Sequence, residues 1–296
     1  MKTNMCFRPI SLLTMSVLFL QCSQERDTSD STFSLNQGYI ETYLTDPDGI
    51  ARLSYEQDSI NNTTNGRLQI HINSDSTFQN IDGFGFALTG GSALHINSMA
   101  DSARLILLNE LFGHAQGQLG LSYIRVSIGA SDLDAVPFSY NDAISGDEDL
   151  EMKYFSIEPD RKHLIPVLKE IQRINPNIQI MASPWSPPSW MKSNKSTKGG
   201  KLLAKYYDAY ALYLVEYIKA YAQEGITITS ITVQNEPLHP GNNPSLSMLP
   251  AEQADFIKSS LGPAFEKFGI KTKIIIYDHN ADRPDYPISI LNNPEV

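Results

Sequence analysis

Cysteine is nearly missing from this 296-residue chain, and both thiols, Cys6 and Cys22, fall within the first 22 residues. The body of the protein can therefore hold neither an internal disulfide nor a thiolate metal site. Its 6 histidines are scattered, without a His-Glu-x-x-His pattern or another ligand spacing, so neither a metal nor another cofactor is expected. Positive charge is also in short supply. The 23 Lys and Arg against 33 Asp and Glu leave a net charge of -10, which argues against nucleic acid or an anionic membrane surface as partner and leaves neutral ligands open. No apolar run is long enough to span a bilayer, since Ile10 to Leu20 covers only 11 residues.

That short run does fit a secretory signal, with Lys2 and Arg8 on its amino side and polar residues after it. Phe19-Leu20-Gln21-Cys22-Ser23 resembles a relaxed bacterial lipoprotein box. The expected product is exported to the periplasm or cell surface with Cys22 lipid-modified, and the lipid is its one membrane contact. Residues 23–37, rich in Ser, Thr, Asp and Gln, read as a flexible tether. Residues 38–80 alternate short apolar stretches with turn residues such as Asp46-Pro47-Asp48-Gly49, which predicts strands and hairpins.

From residue 81 apolar strands alternate with helical patterns. Strands are expected at 83–88, 123–129, 178–184, 228–234 and 272–277. Helices are expected at 98–112, 160–174, 202–224 and 251–268, the last broken or kinked at Gly262-Pro263. Buried strands separated by helices predict an α/β fold with a parallel sheet. The glycines of Gly83 to Gly91 do not follow the order of a dinucleotide-binding loop. Polar residues gather where strands end, which is where a (βα)8 barrel builds its active site.

Gln234-Asn235-Glu236-Pro237 directly follows one such strand. A carboxylate there sits in a partly desolvated cleft that suits a general acid, and Asn235 can hydrogen-bond a substrate hydroxyl. Both tryptophans, Trp185 and Trp190, lie in a stretch stiffened by Pro184, Pro187 and Pro188. Rigid indoles at a barrel mouth suit sugar faces. Trp185 is the favoured one, being nearer the strand end, while Trp190 reads equally well as loop packing. The tyrosines stepping along 207–221 read as core.

These stretches resemble glycoside hydrolase family 30, the family of glucosylceramidases and β-1,6-glucanases. The resemblance rests on Gly83-Phe84-Gly85, Tyr123-Ile124-Arg125-Val126, Ala182-Ser183-Pro184-Trp185, Pro188-Ser189-Trp190-Met191-Lys192, Gln234-Asn235-Glu236-Pro237 and Leu261-Gly262-Pro263. It implies a (βα)8 TIM barrel in residues 81–296, flanked by a β-sandwich to which 38–80 contribute, and a retaining double displacement on a carbohydrate. It implies Glu236 as acid/base, Asn235 on the sugar 2-hydroxyl, and Arg125 and Trp185 lining the sugar site. Taken alone, Arg125 equally suits an ion-pairing role that orients neighbouring carboxylates.

Two departures shape the expectation. Glucosylceramidases carry an Asp after the Thr matching Thr89, where this chain has Gly90. That loss is expected to open room and favours a β-glucan, β-1,6-linked and cut internally, over a glycolipid. The family's nucleophile comes from the seventh strand, whereas this sequence ends after the fifth. Asp278 and Glu295 are rejected as substitutes. The chain thus reads as the truncated N-terminal part of a barrel, expected to fold poorly and to turn over nothing alone. The alternatives are a β-xylosidase or β-fucosidase of the same family, or a non-catalytic glycan-binding surface lipoprotein.

Overall fold

The computed structural model describes residues 39–59, 73, 75–142 and 147–296. The signal, the tether and Cys22 lie outside the described residues, as do 60–72 of the predicted strand region. The chain divides into two units, one ending at Ile72 and one beginning at Asn73. In the first, β1 (Tyr39–Leu44) pairs antiparallel with β2 (Ser54–Ser59), Tyr39 opposite Ser59. The rings of Tyr43 and Tyr55 stand 5.3 Å apart across the pair, a cross-strand contact that suits a hairpin.

The second unit is a parallel five-stranded sheet in the order β3, β4, β5, β6, β7, with helices between successive strands. The strands are β3 (Gly85–Leu88), β4 (Tyr123–Ile128), β5 (Gln179–Pro184), β6 (Ser230–Thr232) and β7 (Lys273–Ile275). Neighbouring strands in sequence are neighbours in space, so this is a partial (βα)8 barrel rather than a doubly wound sheet. The sheet curls far enough for Asp82, ahead of β3, to lie 3.6 Å from Lys273 of β7. Gly85 has no alternative, because a Cβ there would fall 1.4 Å from the Tyr123 carbonyl oxygen of β4.

The helices are α1 (Gly90–Asn97), α2 (Asp101–Phe112), α3 (Glu158–Arg161), α4 (Leu164–Ile174), α5 (Tyr207–Gln223), α6 (Pro250–Phe256), α7 (Gly262–Phe268) and α8 (Asp285–Leu291). In α4 the buried Leu164, Ile165, Val167, Leu168 and Ile171 form one stripe, the pattern of a helix covering a sheet. Tyr210, Tyr213, Tyr217 and Tyr221 of α5 are wholly buried in the core. The sequence predicts one helix over 251–268, broken or kinked at Gly262-Pro263. In the structure the irregularity is a π-helical turn, Ile257–Leu261, that joins α6 to α7. Pro263 falls in the first turn of α7, directly after the π-helical turn, and a proline inside a continuous helix removes one main-chain bond and favours such a distortion. The helix α1 has no counterpart in the sequence reading, which places the first helix at 98–112.

Candidate active site

The polar residues converge at the carboxyl ends of β4 to β7. The β6 strand ends at Thr232, and the chain then runs through Gln234 and Asn235 into Glu236. Asn235 forms an isolated parallel bridge with Asp278, beyond β7. Its N–H donates to the Pro184 carbonyl at 2.8 Å, and the Glu236 N–H donates to the Asp278 carbonyl at 2.8 Å. Between those anchors Glu236 adopts φ +43°. A left-handed backbone costs a non-glycine residue about 1–3 kcal/mol and persists where surrounding bonds enforce it, commonly at functional sites.

The Glu236 carboxylate accepts from Asn242 Nδ2 at 3.0 Å, and His279 Nε2 stands 3.9 Å from its other oxygen. Arg125, from β4, reaches the ends of β6 and β7. Its Nη2 donates to Asn235 Oδ1 at 2.7 Å and to Asp278 Oδ2 at 2.5 Å. The guanidinium carbon also stands 4.8 Å from the centre of a Trp185 ring, within cation–π range. Trp185 follows β5, is buried, and donates its indole N–H to Asp132 Oδ1 at 3.1 Å. Gln234 Nε2 ties the Trp185 carbonyl to this segment at 2.7 Å.

The structure thus brings Arg125, Trp185 and Asn235 into one cluster, with Glu236 next in the chain. Trp190 is elsewhere: its indole donates to the Asn141 carbonyl at 3.0 Å and meets Tyr206 edge-on at 5.2 Å. Of the two carboxylates rejected as nucleophile, Asp278 is taken up by Arg125, Ser183 and Thr232, and Glu295 pairs with Lys258. Asp132, Asn242 and Thr232 are the participants that the sequence reading missed. For Asp132 a signal existed, since it lies just past β4 and barrel chemistry collects at strand ends. For Asn242 none did, because only the fold of the loop after β6 carries it back onto Glu236.

The expected room at Gly90 is not there. A Cβ at that position would stand 2.1 Å from Asp134 Oδ1, and one at Gly91 would stand 2.3 Å from the Leu133 carbonyl oxygen. The loop after β4 docks against the start of α1 and fills the space. Among the described residues no group of three or more His, Cys, Asp or Glu is placed to hold a metal ion.

The model of the glycosyl hydrolase family 30 TIM-barrel domain matches residues 81–296. An endo-1,6-β-D-glucanase of Neurospora crassa is 34% identical over 264 residues, 85% of this chain and 54% of that protein. The lysosomal acid glucosylceramidase of Mus musculus is 29% identical over 247 residues, 79% of this chain and 47% of that protein. A solved endo-β1,6-glucanase superposes with a TM-score of 0.73 at 35% identity, covering 83% of this chain and 55% of its own. The chain spans about half the length of the relatives it matches.

Proposed function

The chain belongs to glycosyl hydrolase family 30, and on that premise we propose that its protein cuts β-1,6-glucan by a retaining double displacement with Glu236 as acid/base. The observation that carries the reading is the cluster in which Arg125 holds Asn235 at 2.7 Å beside the strained Glu236. The names of the fungal relative and of the solved neighbour at 35% identity direct it to β-1,6 linkages.

In the proposed reaction Glu236 protonates the leaving glycosidic oxygen as a second carboxylate attacks the anomeric carbon. The ionised Glu236 then takes a proton from water, which displaces the enzyme carboxylate and releases the sugar with its configuration kept. Asn235 holds the 2-hydroxyl, and Arg125 and Trp185 line the sugar. The nucleophile must lie about 5–5.5 Å from the acid/base. With its Oδ2 held by Arg125 and Ser183, Asp278 is not assigned that role, which leaves it to a carboxylate outside this cluster.

Reducing-end release from a β-1,6-glucan, with the anomer of the first product read by NMR, tests the proposal. We expect the β-anomer and a loss of about 10²–10⁴-fold in Glu236→Gln. An α-anomer, or undiminished turnover in the variant, overturns it. We further propose export with a lipid on Cys22, supported by the apolar run and the box around that residue. Labelling with a fatty acid analogue should mark the protein and miss Cys22→Ser. Equal labelling of both would refute the anchor.

A further inference from the structure

We propose that Asp278 is a positioning residue whose carboxylate aims Arg125, and that Arg125 in turn fixes the Asn235 amide with its NH2 turned toward substrate. The inference rests on the reading of Asn235 as a sugar-binding residue and adds to it the device that sets which end of the amide is presented.

A single oxygen, Asp278 Oδ2, collects Arg125 Nη2 at 2.5 Å, Ser183 Oγ at 2.7 Å and Thr232 Oγ1 at 3.1 Å. Thr232 Oγ1 also lies 2.6 Å from Ser183 Oγ. Each hydroxyl has one proton to give, so the order that satisfies both runs from Thr232 to Ser183 and from Ser183 to the carboxylate. Ser183 and Thr232 are fully buried, at 0% and 1% exposure. Arg125, Ser183 and Thr232 stand on β4, β5 and β6, Thr232 acting through Ser183, and the carboxylate follows β7. One carboxylate therefore joins the ends of four adjacent strands, and buried donors of this kind do not reorient cheaply.

The chemical consequence falls on Asn235. A guanidinium can only donate, so it must meet the amide through its oxygen, and the 2.7 Å contact is with Oδ1. The Asn235 NH2 is then turned away from Arg125 and is left to donate to a sugar hydroxyl. Without the charge at 278, Arg125 loses the partner that holds its fork in place, and the amide is free to turn its oxygen outward. The Asp278 main-chain carbonyl meanwhile holds the Glu236 N–H at 2.8 Å, a bond that a change of side chain leaves in place. Side-chain and main-chain roles of Asp278 can thus be separated by substitution.

The test compares the wild-type chain with Asp278→Asn, using the side-chain amide resonances of Asn235 in a ¹⁵N spectrum and a titration with gentiobiose. The expected result is a shift or broadening of the Asn235 pair and about tenfold weaker gentiobiose binding, with the Glu236 main-chain amide little changed. Adding Asn235→Ala to Asp278→Asn should cost no more than Asn235→Ala alone, since residues acting through one another are not additive. Unmoved Asn235 resonances, or losses that add, overturn the proposal. Should Asp278→Asn not fold, Arg125→Lys takes its place, because a lysine lacks the planar fork. The same displacement of Asn235 is expected, and its absence overturns the proposal. A wild-type chain that binds no gentiobiose would count against the glycosidase reading, while the Asn235 resonances would still decide the role of Asp278.

Discussion

Lys192 shows what one residue can do for a barrel mouth. It is buried, at 1% exposure, and among the described residues no carboxylate accepts from it. Its Nζ donates to Ser186 Oγ at 2.9 Å, the Thr197 carbonyl at 2.9 Å and the Ser245 carbonyl at 2.7 Å. These bonds tie the loop after β5 to the loop after β6, the loop that also carries Asn242 onto Glu236. Burial brings the ammonium from its ordinary value down to about 7. An unfolded lysine keeps its proton to about pH 10.4. Between those values the unfolded chain binds more protons, so this residue makes stability climb as pH rises from about 7 toward 10. Thermal melts of Lys192→Met should lack that climb, and an unchanged slope would refute the assignment. Lys192 is legible in the sequence only as part of a motif, because its three acceptors come from separate segments.

At the scale of elements, a carboxyl sits where the helical layer meets the segment around Tyr140. Asp160, in α3, accepts from the hydroxyls of Tyr140 and of Tyr221, in α5. Burial raises its pKa to about 7, against the pull of those two hydroxyls. The folded form therefore keeps a proton that the unfolded chain gives up near pH 4, and stability falls as pH rises from about 4 to about 7. The shift sets an upper limit of about 4 kcal/mol on this effect. Asp160→Asn should remove the fall in melts across that window, and a retained fall would assign it to another group. Sequence periodicity finds α4 and α5 because their apolar stripes are local. It misses α1 because Gly90 and Gly91 are set by the close approach of Leu133 and Asp134, a contact between segments that spacing does not reveal.

Across the whole second unit, burial is uneven from strand to strand. The β4, β5 and β6 strands are largely buried, whereas β3 and β7 are partly exposed. Phe84 and Phe86, at the β3 side, are 69% and 38% exposed. Edge strands open at lower cost than those paired on both sides. In hydrogen exchange the amides of β4 and β5 should therefore be the slowest, with those of β3 and β7 exchanging ahead of them. Uniform protection across the sheet would contradict this picture.

By itself the sequence determined the alternation of strand and helix, the family, and the candidates Arg125, Trp185, Asn235 and Glu236. Each of these is written in residues close together along the chain. Tertiary structure alone decided that Arg125 bridges Asn235 and Asp278, that Asn242 returns to Glu236, that Asp134 fills the space beside Gly90, and that Trp190 packs inside. The physical reason is the same in each case: a hydrogen bond or a steric exclusion between strands depends on register and loop path, and those are settled only when the sheet has formed.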